Sequence, residues 1–98
     1  MKNEFKKNIK IINKYFDFIQ DTYNVKKIGV FGSVARGQQK RRSDIDILIE
    51  LSKPIGFFDF LELEIFLSKI LKRKVDIVTK NALKPLIKKD ILKEVIYV

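Results

Sequence analysis

Cysteine, histidine and tryptophan are absent from this chain of 98 residues, and it holds only two prolines and four glycines. Each absence removes a class of chemistry. Without Cys there is no disulfide framework, no thiolate zinc site and no thiol nucleophile. Without His the commonest metal ligand and the usual general base are missing, so catalysis must run on carboxylates, hydroxyls or lysines. No apolar run approaches the roughly 20 residues that a membrane-spanning helix needs. No signal-peptide stretch follows Met1-Lys2-Asn3-Glu4-Phe5-Lys6-Lys7, so a cytoplasmic protein is expected.

What is present describes one globular domain over residues 1–98, with 46% hydrophobic and 34% charged residues. The 21 Lys+Arg against 12 Asp+Glu give a net charge of +9, which raises the question of nucleic acid or polyphosphate. The distribution weakens a nucleic-acid reading. Residues 1–50 carry 11 cations and 6 anions, and residues 51–98 carry 10 and 6, so +5 and +4. Seventeen of the cations are Lys, which suits a solvated surface better than base readout, where Arg dominates.

Apolar spacing predicts an amphipathic helix over 3–23, with Phe5, Ile9, Ile12, Phe16, Ile19 and Tyr23 on one side and a stop at Asn24. A β-prone run over 26–31 ends at Gly32-Ser33, and Ser33 to Gly37 suits a short helix. After a basic loop, Gln38 to Ser43, residues 44–51 alternate. Asp44, Asp46, Leu48 and Glu50 share one face, and Ile45, Ile47, Ile49 and Leu51 share the other. A second helix is expected over 57–72, with Phe57, Phe60, Leu61, Glu64, Ile65, Ser68 and Leu71 along one side. Core packing is the first expectation for Phe57, Phe58 and Phe60, although one helical face cannot bury all three, and the alternative is that at least one is exposed at an interface. A strand over 74–79, a helix over about 82–94 that tolerates Pro85 in its first turn, and a β-prone tail over 95–98 complete the chain. The order is α-β-α-β-α-β-α, an α/β sandwich with ligands expected at strand ends.

Three features carry chemistry. Gly32-Ser33 ends a strand and opens a turn, where small residues let backbone N–H groups approach phosphate. Asp44 and Asp46 project from one strand face about 7 Å apart, although Asp is disfavoured in strands and like charges repel. Asp76 stands alone among Val75, Ile77 and Val78. If the two strands are neighbours, three hard oxygen ligands converge and select Mg²⁺ or Mn²⁺ over zinc. Two such ions catalyse in-line displacement at phosphorus without a protein nucleophile.

Gly32-Ser33, ten residues, then Asp44-Ile45-Asp46, with Asp76 on a later strand, resembles the signature of DNA polymerase β-like nucleotidyltransferases. The run Gly32-Ser33-Val34-Ala35-Arg36-Gly37 and the run Ser43-Asp44-Ile45-Asp46-Ile47-Leu48-Ile49 closely resemble the minimal nucleotidyltransferase (MNT) family, nearly end to end. The resemblance implies a single-domain nucleotidyltransferase fold with a small mixed sheet. It also implies transfer of AMP from ATP, with Asp44, Asp46 and Asp76 holding two Mg²⁺ ions. Asp76 would help activate the acceptor hydroxyl, Gly32 and Ser33 would hold the β- and γ-phosphates, and Arg36 would support that loop. Many relatives act as antitoxins that adenylylate a tyrosine of a HEPN-domain toxin, so a HEPN partner is implied. The alternatives are an antitoxin that acts by binding alone, and a nucleotidyltransferase acting on RNA or a small molecule. The chain departs from its relatives in the cationic Lys40-Arg41-Arg42 loop, which suits either solvent or the triphosphate and an acidic partner.

Overall fold

Ile45, Ile47 and Ile49 alternate with Asp46, Leu48 and Glu50, which makes residues 45–51 a strand whose isoleucine face meets the core, and the remaining elements form around it. The structure, a computed structural model, describes residues 2–32 and 45–98. Helices α1 (Lys2–Lys14) and α2 (Phe16–Tyr23) lead into strand β1 (Val25–Phe31). Strand β2 (Ile45–Leu51), helix α3 (Phe57–Leu71) and strand β3 (Val75–Thr79) follow. A 3₁₀ turn, Lys80–Ala82, then precedes helix α4 (Pro85–Glu94) and the short strand β4 (Ile96–Tyr97).

The sheet order is β3-β2-β1-β4. β1 runs antiparallel to β2 and to β4, whereas β2 and β3 are parallel and joined through α3. The sheet is therefore mixed. Ile45, Ile47 and Ile49 of β2, Val75 and Ile77 of β3, and Ile28 and Val30 of β1 form its buried face. Against them pack Ile12 of α1, Ile19 and Tyr23 of α2, and Leu63, Leu67 and Leu71 of α3. Each such aliphatic side chain contributes about 1.5–3 kcal/mol when fully buried.

The helix expected over 3–23 is two helices. At Tyr15 the backbone steps out of the α pattern, and its N–H donates to the Ile12 carbonyl at 3.1 Å. An i→i−3 bond tightens the turn and redirects the axis without Pro or Gly. The break lets Tyr15 and Phe18 both reach Phe66 of α3, with ring centroids 5.7 and 5.2 Å away. Asn24 ends α2 in the left-handed conformation, φ 57°, as its side chain permits.

The inward face of α3 also differs from expectation. Leu63, Leu67 and Leu71 meet the core, whereas Phe57, Leu61 and Ile65 are exposed. A helix apolar on two sides offers two stripes of the same period, and the one that matches the sheet is buried. Phe57 and Phe58 stand 70% and 82% exposed, so core packing fails for both and holds partly for Phe60. Pro85 takes the first position of α4, which starts three residues later than expected because Lys80–Ala82 form a separate turn. The short helix expected over 33–37 and the loop over 38–43 lie outside the described residues.

Candidate active site

β2 and β3 are neighbours, and their register pairs Ile45 with Val75, Asp46 with Asp76 and Ile47 with Ile77. Paired residues on parallel strands project from the same face. The two aspartates therefore stand side by side across strands about 4.8 Å apart, on the face turned away from α1, α2 and α3. Asp46 is half-buried and Asp76 exposed. The pairing is held at its start by the Ile45 N–H, which donates to the Lys74 carbonyl at 3.0 Å.

Across the other edge of β2, Asp46 pairs with Phe31 of β1, immediately before Gly32. Gly32 has φ +78°, a conformation open to Gly at little cost. A Cβ at Gly32 would also run into the Asp46 carboxylate. Glycine is thus required twice, for the turn and for the carboxylate that lies against it. Sequence reasoning supplied only a phosphate-approach argument for Gly32; the carboxylate contact depends on the β1–β2 register.

Gly32, Asp46 and Asp76 are thus brought to one end of one sheet face. Ser33, Arg36 and Asp44 lie outside the described residues. Among the described residues no group of three or more His, Cys, Asp or Glu stands close enough to hold a metal ion. The donor set that is assembled, two carboxylates and no softer ligand, suits a hard divalent cation such as Mg²⁺ or Mn²⁺. Like charges paired across strands are unfavourable unless a cation offsets them.

The opposite end of the same face carries a cluster that the sequence reading did not single out. Glu50 is four residues beyond Asp46, about 13 Å along the strand. The Tyr97 hydroxyl donates to Glu50 Oε2 at 3.0 Å, and Lys80 Nζ lies 3.7 Å from Glu50 Oε1. Lys27 Nζ stands 5.4 Å from the Tyr97 ring centre. Partial burial, then the hydrogen bond and charge of Glu50, raise the Tyr97 pKa above its ordinary value. A cavity of about 400 Å³ opens beside this cluster, lined by Glu50, Ser52, Lys53, Ile55, Lys80 and Asn81 among others. The alternation over 44–51 already put Glu50 on the aspartate face, but nothing local in the sequence announced Tyr97 as its partner.

Carboxylates without imidazole or thiolate, set at a strand end beside glycine, suit metal-assisted transfer at phosphorus. Comparison with known proteins makes the class definite. Residues 9–98 match the nucleotidyltransferase domain family, and the chain belongs to it. A Methanocaldococcus jannaschii protein named "Putative protein adenylyltransferase MJ1217" is 45% identical over 89 residues, covering 90% of this chain and 91% of that protein. "Protein adenylyltransferase MntA" of Thermococcus cleftensis is 42% identical over 80 residues, covering 82% and 81%.

Among solved structures, "Structure of putative minimal nucleotidyltransferase" has a TM-score of 0.81 and 27% identity, covering 94% of this chain and 93% of that one. A toxin–antitoxin crystal structure with AMP-PNP has a TM-score of 0.73 and 26% identity, covering 87% and 69%. A Shewanella oneidensis complex of a tri-AMPylated HEPN toxin with an MNT antitoxin shares the fold, with a TM-score of 0.67 at 20% identity over 92% and 70%. The protein is a nucleotidyltransferase of the minimal kind. No helix among the described residues is long and apolar enough to cross a membrane.

Proposed function

We propose that this nucleotidyltransferase transfers AMP from ATP to a tyrosine hydroxyl of a HEPN-domain toxin, with Mg²⁺, and acts as its antitoxin. The observation that carries the reading is the in-register pairing of Asp46 with Asp76 on parallel neighbouring strands. The relatives named as protein adenylyltransferases supply the reaction class, and the toxin–antitoxin neighbours supply the kind of partner.

In this reading Asp44, Asp46 and Asp76 hold the metal, which when bound offsets triphosphate charge and polarises the α-phosphorus. Gly32 brings backbone close to the β- and γ-phosphates, Ser33 donates to them, and Arg36 supports the same turn. Asp76, the more exposed of the described pair, accepts the proton of the incoming hydroxyl. The bond from that oxygen to the α-phosphorus forms as the bond to the bridging oxygen breaks, and pyrophosphate leaves. No side chain becomes covalently attached, which agrees with a chain lacking His and Cys.

Asp46→Asn and Asp76→Asn test the reading, assayed by transfer of label from α-labelled ATP to a HEPN-domain protein. Each variant is expected to lose at least about 100-fold in rate, and chelation of Mg²⁺ is expected to abolish transfer by the unaltered chain. Unchanged transfer in both variants would overturn the proposal. Full toxin neutralisation by the double variant would favour an antitoxin that acts by binding alone.

A further inference from the structure

Ser68 stands in the last turn of α3, half-buried, between the buried Leu67 and Leu71. Serine is no asset inside a helix, since its hydroxyl competes for backbone hydrogen bonds. Here the hydroxyl has a different use. The Val75 N–H donates to Ser68 Oγ at 3.2 Å. The Ser68 carbonyl accepts from two more N–H groups of the same turn, those of Lys72 and, at 3.2 Å, of Arg73. One residue thus gathers three of the four backbone donors over 72–75. Within that turn Lys72 is left-handed, φ 56°, a conformation that is costly for a residue with a Cβ. Such a turn keeps its shape where its surroundings hold it.

The turn leads directly into the candidate active site. β3 begins at Val75, and Asp76 is its second residue. β3 is outermost in the sheet order, so one of its edges pairs with β2 and the other with no strand among the described residues. On the paired edge the Lys74 carbonyl accepts the Ile45 N–H at 3.0 Å, and Asp76 stands in register with Asp46. On the other edge Ser68 Oγ takes the Val75 N–H, one residue before Asp76. The two aspartates are therefore held differently. Asp46 lies on a strand flanked by β1 and β3, with Gly32 against its carboxylate. Asp76 lies near the start of an edge strand, where backbone opens most easily.

We propose that Ser68 is a positioning residue for the candidate active site: its Oγ anchors the outer edge of β3 one residue before Asp76 and so fixes where that carboxylate stands against Asp46. The inference rests on the role given to Asp76 above and adds what holds it in place. α3 packs on the sheet face opposite the aspartates, so Ser68 acts through β3 and not on the reactants. Loss of its hydroxyl affects the step that uses Asp76 and spares the phosphate side at Gly32, which depends on the β1–β2 pairing. A displacement of about 1 Å can cost about 100-fold in rate.

The test compares Ser68→Ala with Ser68→Thr, which keeps a hydroxyl, and with Tyr23→Phe, which removes a different hydrogen bond of α3, that to Glu62. Thermal unfolding checks each fold. Amide exchange at Val75, steady-state label transfer, and Mn²⁺ binding in the presence of α,β-methylene-ATP are then measured. Ser68→Ala is expected to speed exchange at Val75 at least about fivefold. It is expected to lower kcat about tenfold with the KM for ATP little changed, and to weaken Mn²⁺ binding severalfold. Ser68→Thr is expected to restore most of each, and Tyr23→Phe to keep kcat and Mn²⁺ binding at the parent level. Ser68→Cys, with a weaker acceptor of similar size, is expected to fall between, and it carries the test should Ser68→Ala not fold. Faster exchange at Val75 with kcat and Mn²⁺ binding intact would overturn the positioning role and leave the proposed function standing. An equal loss in Tyr23→Phe would overturn it as well, since any loosening of α3 would then suffice. Full transfer by Asp76→Asn would overturn the role of Asp76 and, with it, this inference.

Discussion

Gly32 is the residue on which the described part of the site turns. Its φ of +78° and the Asp46 carboxylate lying against it leave no room for a methyl group. Gly32→Ala is expected to cost about 1–2 kcal/mol from backbone strain, read by denaturant unfolding, and to lower label transfer by moving Asp46. At this scale Asp is out of place in a strand, but residue type alone suits a solvated face equally well. Asp46 and Asp76 become candidates through the composite motif with Gly32-Ser33 and Asp44. Their pairing and the Gly32 contact are products of strand register, which links positions that no local pattern connects.

At the scale of elements, periodicity located β1, β2, β3 and α3 to within a residue or two, since alternation and 3.6-residue spacing are strong local signals. It misjudged which side of α3 is buried, because helix orientation is decided by the sheet it packs on. It also missed the break at Tyr15, where two rings seat on Phe66 of a helix distant in sequence. The tail read as β-prone is a real strand, and Gly29 is why it fits. β4 pairs Tyr97 with Gly29, and a Cβ there would strike Val95 and approach Tyr97 Cδ1 to 3.2 Å. Gly29→Val is expected to push β4 from the sheet and cost about 1–3 kcal/mol. Chemical denaturation measures the loss, and hydrogen exchange at Val98, whose N–H donates to the Ile28 carbonyl at 2.8 Å, locates it.

For the whole molecule, the response to alkali has two contributions of the same sign, one from Tyr97, whose pKa is raised, and a larger one from a tie between α2 and α3. The buried Tyr23 hydroxyl donates to Glu62 Oε1 at 2.9 Å. Its pKa is pushed from 10.0 up to about 12, by burial first and then by the Glu62 hydrogen bond and charge. Below pH 10 the folded and unfolded chains both keep the proton. Between about 10 and about 12 the unfolded chain loses it first, so the stabilising contribution is present at lower pH and is lost as pH rises. Tyr23→Phe is expected to flatten stability against pH in that window and to cost about 1 kcal/mol near neutrality, both read from denaturation midpoints. The global charge was legible in composition, yet its arrangement was not. Asp59, Glu62 and Glu64 against Lys69 make α3 acidic in the sequence itself, whereas the side of the helix on which they stand depends on how it packs.

Two-residue β4 also governs how the sheet ends. It pairs with β1 at Gly29 and Val30, and the Val98 N–H adds one bond to the Ile28 carbonyl, so the β1 border is closed by a short cover. A longer strand there would itself present a row of unpaired backbone groups, the template on which chains stack into aggregates. Brevity is thus a colloidal safeguard: β4 occupies the edge of β1 without offering much of a new one.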